Sequence, residues 1–395
     1  SDTNILRMSL EYLPQDIAAT AEYVLQAAFL EFLKKVRAST SMKHVVFSGG
    51  LFQNVALNNK ILESRLFEEI FIPMAPSDAG LSLGQALYVE NDSRKRKRDI
   101  TLSPFLGPSF KVDEIRPLLE RFRLNYAQES NISSKVAGLI ARGNTVGWFQ
   151  GRGEYGPRSL GSRSILADPR NLSSKARVNQ FLKRRDWFMP YAPSIQEEHL
   201  HQWVEIPHKS PYMQIAFKVL EEKRSLIPAA VHINGSSRGH VVKRVDNAQY
   251  CDLIDHYKKL TGIPMVLNTS FNRHGIATIS TPRQAIEHLL EGCMDYLAID
   301  NFLVDFTKNR IVSQHSIVEK PEDVLLAENC IERLKDVCDY GDKAKTSLYI
   351  AKLSELVGAR LAHEDGRIVI DDEGRFSVSD AMQRLIERVN RPLNV

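Results

Sequence analysis

His44-Val45-Val46-Phe47-Ser48-Gly49-Gly50 decides how the chain is read. A short β-branched and aromatic strand runs directly into a glycine pair, and helical spacing resumes from about Asn54 to Ser64. Upstream, Ile17, Tyr23, Val24, Ala27, Ala28, Phe32 and Leu33 recur at three- and four-residue intervals, which predicts one apolar face of a long helix from Pro14 to about Val36. Downstream, a second strand from Ile70 to Pro73 leads through Pro76-Ser77-Asp78-Ala79-Gly80 into a third helix near Leu83 to Val89. Helix, strand, glycine turn, helix, strand, turn, helix is the order of a parallel or mixed α/β layer.

Arg94-Lys95-Arg96-Lys97-Arg98 interrupts that order with five consecutive positive charges and reads as a solvated linker. A nucleic-acid stripe is the sharper alternative, but no aromatic residues interleave with the charges. Beyond the linker, Val146 to Phe149, Tyr212 to Phe217 and Pro264 to Leu267 predict strands, and Gln284 to Leu290 predicts a helix. The organisation expected is therefore 1–90, a linker 91–104, a second α/β domain 105–312 and a tail 313–395. Within the tail only Gly366 to Gly374 reads as a hairpin.

Composition narrows the class. The 395 residues, 43% apolar and 25% charged, suffice for two or three domains with real cores. A net charge of +4 gives no global field that argues for nucleic acid. No apolar run reaches the ~18 residues of a membrane helix, and Ser1 to Met8 lacks the pattern of a signal peptide, so the expectation is a cytoplasmic protein. Cys251, Cys293, Cys330 and Cys338 form no C-x-x-C pair and read as reduced structural thiols.

The chemistry concentrates in a few segments. A strand entering Gly49-Gly50 and then a helix presents free N–H groups at a helix N-terminus, where an anion is favoured. The same glycines suit any tight turn. Asn54 is placed to hydrogen-bond a ribose or a carbonyl. Asp78 lies near a strand's carboxyl end, where α/β sites gather and where a carboxylate suits a hard metal ion. Taken alone, Asp78 reads first as a helix N-cap. In the second domain, Gly151-Arg152-Gly153-Glu154-Tyr155-Gly156-Pro157-Arg158-Ser159-Leu160-Gly161-Ser162-Arg163-Ser164 combines four glycines with three arginines. Glycine lets backbone approach a ligand, and guanidinium forks grip phosphate at two points. Lys183-Arg184-Arg185-Asp186-Trp187-Phe188, Ser236-Ser237-Arg238 and Asn268-Thr269-Ser270-Phe271-Asn272 add cations and neutral donors suited to a triphosphate and an acyl phosphate.

These segments carry a resemblance. His44 to Gln85 resembles the second half of the actin-like ATPase domain of NodU/CmcH-type O-carbamoyltransferases, a half shared with tRNA threonylcarbamoyl transferases. Leu106 to Asp305 resembles the YrdC-like C-terminal domain of the same family, through Tyr155 to Arg170, Lys183 to Phe188, Pro190-Tyr191-Ala192-Pro193-Ser194 and Gly262 to Asn272. The resemblance implies an α/β fold made of half an actin-like domain followed by a YrdC-like domain. It implies that Lys183, Arg158 and Arg238 are catalytic and hold ATP and carbamoyl phosphate with Mg2+. Arg163, Arg185, Asn268, Ser270 and Asn272 would line the same pocket, which would make carbamoyl-adenylate and pyrophosphate. Gly50 and Asn54 would contact the adenylate, and Asp78 would be one ligand of iron or another divalent metal completed from outside this chain, since no H-x-x-x-H pair precedes Gly49.

The partners implied are a small-molecule natural product bearing a hydroxyl and the first half of the actin-like domain as a separate subunit, with neither membrane nor nucleic acid. Three departures from the family pattern stand out: Met189 in place of an arginine, Arg238-Gly239-His240 in place of Arg-Pro-Gln, and Gly275-Ile276-Ala277-Thr278 in place of Gly-Glu-Pro-Ile. They keep open a regulatory or rewired acyl-transfer subunit. The linker charges keep open a tRNA-directed enzyme.

Overall fold

In the first region a helix α1 (Pro14–Ala38) carries Pro14 in its first turn, where the missing N–H costs nothing, and Lys35 and Arg37 in its last, where cations favour the dipole. Strands β1 (His44–Val46) and β2 (Glu69–Phe71) pair in parallel, joined through helix α2 (Val55–Glu63). Helix α3 (Leu81–Arg94) follows a short 3-10 turn, Asp78–Gly80. The computed structural model describes residues 12–94, 103–172, 191–206, 208–273, 275–290 and 294–309, together with 368–370 and 376–378.

The second region is built on an eight-stranded mixed sheet. Its strands are β3 (Tyr126–Gln128), β4 (Val146–Phe149), β5 (Arg163–Ala167), β6 (Ala192–Gln196), β9 (His240–Val242), β10 (Met265–Ser270), β11 (Tyr296–Ile299) and β12 (Phe302–Asp305), in the order β3-β12-β11-β4-β5-β10-β6-β9. Only β4–β11 and β6–β9 are parallel pairs. Every residue of β4, β5 and β6 is buried, as strands covered on both faces require.

Helices α4 (Val112–Arg121), α5 (Ile132–Ala141), α7 (Ala248–Thr261) and α8 (Pro282–Leu290) supply the cover, α5 against α7 and α8 against β4 and β11. Asn131 and Asn247 cap α5 and α7 by accepting the N–H groups of Ser134 and Tyr250. Glu114 reaches back from the first turn of α4 to the N–H of Lys111. A side ribbon pairs β7 (Phe217–Lys218) with β8 (Ser236–Ser237), and α6 (Glu221–Arg224) is a single turn beside it. In the tail, β13 (Ile368–Ile370) and β14 (Phe376–Val378) form an antiparallel pair, which agrees with the expected hairpin.

The α/β class expected from the alternation is what the chain adopts, with two segments read wrongly. Asn91 to Arg94, expected to open the linker, continues helix α3. Tyr212 to Ala216 is not a strand; only Phe217–Lys218 is. The segment crosses to the first region instead. Met213 takes a positive φ of 58°. Gln214 Nε2 donates to the carbonyls of Pro73 and Met74, and Asn58 Nδ2 donates to the Gln214 carbonyl at 2.7 Å. Ile215 completes the small core of Leu33, Phe47, Phe52, Leu57, Ile61, Phe67 and Ile72.

The apolar stripe foreseen on α1 also divides. Leu33 is buried with Phe29 and Leu30 packed near it, whereas Tyr23 is 72% and Phe32 56% exposed. Cys251 is a buried free thiol, its pKa pushed by burial up to about 12, in keeping with a structural role. The other three cysteines and the charges from Lys95 to Arg98 lie outside the described residues. No helix among the described residues is long and apolar enough to cross a membrane.

Candidate functional site

Strand directions gather the distant motifs at one end of the large sheet. Ser270, at the end of β10, lies opposite Ser164 at the start of β5. Asn268 lies opposite Ala192, the first residue of β6, and Ser194 lies beside His240, the first residue of β9. Arg163 pairs with Phe149 at the carboxyl end of β4, and Ile299 of β11 ends there too. The loop Gly151–Ser162, the Asn268–Asn272 segment and Arg238 therefore converge where the parallel strands β4 and β11 end, the usual place for an α/β site. Lys183, Arg185 and Met189 lie outside the described residues, and the described chain resumes at this same end with Tyr191.

The loop is held from inside. The Glu154 carboxylate accepts the N–H groups of Leu160, Ser162 and Arg163. Arg163 is 1% exposed, with its guanidinium donating to the carbonyls of Gln150, Gly151, Ser162 and Pro108 and lying 3.6 Å from the Phe149 ring centre. Burial lowers its pKa to about 10, still well inside the charged range at neutral pH. The arginine expected to grip phosphate is thus a brace for the loop, because four carbonyls and an aromatic face already surround its charge. Gly161, at φ 92°, passes so close to Tyr250 that a Cβ would fall 2.3 Å from the ring.

Arg158 and Tyr155 carry the loop across to the first region. Arg158 Nη2 donates to the Gln53 carbonyl at 3.2 Å, just after the glycine turn, and partial burial lowers the pKa of the guanidinium. Tyr155 Oη donates to the Ala79 carbonyl and lies 3.1 Å from Ser82 Oγ. Gly156, at φ 107°, sits where a Cβ would meet the Met74 carbonyl at 2.5 Å. Arg238 is half-buried between β8 and β9. Asn268 is buried and donates to Ser159 O and Ser194 Oγ. Ser270 Oγ donates to Asn272 Oδ1 at 2.6 Å, and Asn272 in turn donates to the Ile276 carbonyl.

In the first region the Gly49-Gly50 turn is exposed and open above both glycines. Asn54 is the N-cap of α2: its Oδ1 accepts from Ala56 N and Leu57 N, and its Nδ2 donates to Glu22 at 2.9–3.0 Å. The side chain expected to face a ribose is therefore occupied on both atoms by capping and by α1. Asp78 is exposed in the first turn of the 3-10 segment, with Ser77 at the cap position. Among the described residues no group of three His, Cys, Asp or Glu side chains could hold a metal. One exposed carboxylate does not make a metal site, and the described donor set does not fit one.

Comparison with known proteins accounts for both regions. The profile for the carbamoyltransferase N-terminus matches residues 4–87, and that for the carbamoyltransferase C-terminus matches residues 137–305. The chain belongs to the carbamoyltransferase family. Among its relatives is nodulation protein NolO of Bradyrhizobium diazoefficiens, 36% identical over 73% of this chain and 54% of that protein. Nodulation protein NolNO of Sinorhizobium fredii is 34% identical over 73% of this chain and 44% of that protein. Nodulation protein U of Azorhizobium caulinodans is 33% identical over 66% of this chain and 45% of that protein. The chain spans about half the length of the curated carbamoyltransferase relatives it matches.

Sequence reasoning quoted Glu154 and Tyr155 within the arginine-rich run without giving either a role. A lone acid among three arginines was the available signal, since a carboxylate there has backbone N–H groups and guanidinium charge to satisfy. Ser194 was quoted only as the end of the Pro190–Ser194 segment, without a role.

Proposed function

We propose that this chain is part of an O-carbamoyltransferase that activates carbamoyl phosphate with ATP and transfers the carbamoyl group to a hydroxyl of a small-molecule natural product. The observation that carries the reading is the convergence of Arg158, Arg238 and Asn268–Asn272 on one sheet end, with Arg158 touching the backbone beside the glycine turn of the first region. Guanidinium groups at that end would offset the repulsion between a triphosphate and an acyl phosphate and stabilise charge developing in the transition state. Lys183 and Arg185, on the segment that leads back to Tyr191, would add to them.

The chemistry balances in three steps. Water cleaves carbamoyl phosphate to carbamate and inorganic phosphate. A carbamate oxygen then attacks the α-phosphorus of ATP, giving carbamoyl-adenylate and expelling pyrophosphate, with Mg2+ neutralising the phosphate oxygens. The acceptor hydroxyl would later attack the carbamoyl carbon, AMP leaving and the hydroxyl proton passing to a base. The exposed Gly49-Gly50 turn, open above both glycines although Gly49 N donates to the Pro76 carbonyl, would let the adenylate phosphate approach the backbone during that transfer.

The rest of the carbamoyl-transfer domain, as a separate polypeptide segment or subunit, would cover Tyr23, Val24, Phe32, Tyr88 and Val89, which are large, apolar and exposed. It would also bring the metal ligands that Asp78 lacks.

The test is to incubate the purified chain with ATP, carbamoyl phosphate and Mg2+, without an acceptor, and to follow pyrophosphate release and carbamoyl-adenylate by mass spectrometry. Adenylate formation lost in Lys183→Ala and in Arg238→Ala is expected. ATP binding without either product would overturn the reading and favour a regulatory subunit.

A further inference from the structure

The segment Ser210 to Ile215 crosses from the large sheet to the first region, and it is strained at its middle. Met213 is buried with φ 58°, the left-handed region in which a side chain crowds the following carbonyl. Glycine enters that region freely and asparagine or aspartate with some ease, but methionine does not. Strain of this kind persists only where the surroundings enforce it, and it gathers in segments that move. Here the enforcement is by a few anchors. The Met213 side chain packs with Leu160 and Ala192, Gln214 Nε2 donates to the carbonyls of Pro73 and Met74 at 3.2 and 3.3 Å, and Ile215 enters the core of the first region.

Between the anchors the seam is open. A cavity of about 40 Å³ lies between Ser210 and Gln214 on one side and Ile70 to Ile72 on the other. A second, of about 80 Å³, shares Pro211 and Tyr212 as a wall and is bounded beyond them by Phe105 and Leu160. The crossing is thus undercut on two faces. Its polar groups are also incompletely served: Ser210, Gln214 and Asn58 are at most 3% exposed, yet Ser210 Oγ, Gln214 Oε1 and Asn58 Oδ1 bond to no described group. Carbonyls only accept, so the Gln214 amide cannot turn over without losing both of its bonds. At roughly 10–15 Å³ for each water, the smaller cavity has room for about three. A dry, fully bonded seam has nothing to gain by re-seating, whereas a strained one with buried acceptors to serve does.

We propose that Ser210–Ile215 is a hinge on which the first region re-seats against the large sheet: the left-handed turn at Met213 relaxes and Gln214 lets go of Pro73 and Met74. A few residues that absorb a large change in φ and ψ are what a hinge requires, and packed interfaces move between discrete seatings. The contacts of Arg158 with Gln53 and of Tyr155 with Ala79 cross the same seam, so re-seating alters the distance between the glycine turn and the sheet end where the arginines gather. The hinge does not depend on which chemistry those two places perform.

The experiment is hydrogen exchange of the full chain, read by mass spectrometry on peptides spanning Ser210 to Phe217 and on peptides from β10 and β11, in water and in low urea. In the wild type the crossing is expected to exchange through a local opening whose rate low urea leaves unchanged, while β10 and β11 exchange more slowly and quicken with urea. Met213→Ala and Met213→Gly remove nearly the same packing but differ in their tolerance of a positive φ. After correction for intrinsic rates, the crossing should exchange about fivefold more slowly in the glycine variant than in the alanine variant, with β10 and β11 alike in the two. A fixed clasp would instead make the crossing follow β10 and β11 in rate and urea dependence, and that result would overturn the hinge. So would equal or faster exchange in the glycine variant, an equal change in β10 and β11, or a crossing fully exchanged at the earliest time, which would leave no closed seat to open. If neither variant folds, the urea dependence of the wild type decides.

Discussion

Residues 12–94 and residues 103–309 are both α/β, yet they solve the burial problem in opposite ways. The second region closes a core around an eight-stranded sheet in which Trp148, Leu166, Val266 and Phe302 are wholly buried. The first has two paired strands, a core of seven of its own side chains, and Ile215 borrowed from its neighbour. Its β1 and β2 expose Val46 and Phe71, at 68% and 52%. A two-stranded sheet gains independent stability only when something packs on it. The first region leaves apolar side chains of both its helix and its strands uncovered, whereas the second closes its own core.

The most severe test of this contrast is to separate the two. Residues 103–309 expressed alone are expected to unfold in one cooperative thermal transition, and residues 1–94 alone to show none, by circular dichroism. A cooperative transition in the shorter piece would break the comparison outright.

A single substitution should sharpen it. Arg163→Ala removes a buried charge that serves four carbonyls and lies against Phe149, and Glu154 loses the opposite charge beside it. We expect a loss of about 4 kcal/mol in urea unfolding, the scale for breaking a buried charged network. Because the same loop carries Tyr155 and Arg158 onto the first region, hydrogen exchange at Phe47 to Ala79 should quicken more than in β10 or β11. Equal acceleration everywhere would argue against the loop as the coupling element.

The contrast also explains what was legible in the sequence. Strands and helices with clean periodicity and caps, such as β4, α2 and α8, could be read because local pattern and tertiary burial agree there. Tyr212 to Ala216 has the alternation of a strand but uses Gln214 and Ile215 to clasp the first region, a tertiary demand that overrides propensity. Arginine identity in the Gly151–Ser164 run was legible, but function was not divisible among the arginines: Arg158 reaches the first region while Arg163 is sealed inside the loop. Asn54 was legible as a hydrogen-bonding residue, and only the helix that it caps and the Glu22 it meets say what it bonds.

The gentlest probe is acid, and it should act through the second region. His240 has an ordinary pKa of 6.5 that burial lowers to about 3 in the folded state. Between these values the unfolded chain binds a proton that the folded chain excludes, so stability must fall as pH falls. The neutral ring's contribution is complete above pH 6.5 and is lost on descending toward pH 3, at a limiting slope of about 1.4 kcal/mol per unit. His199 and His208, also lowered first by burial, add in the same direction. From pH 6.5 to pH 5.5 the expected loss from His240 is about 1 kcal/mol. Urea unfolding at the two pH values measures it, and His240→Asn, which cannot titrate, should flatten the dependence by that share. If the His240→Asn protein keeps the full slope, the acid sensitivity belongs to other groups, and the buried neutral imidazole beside Ser194 is not what sets it.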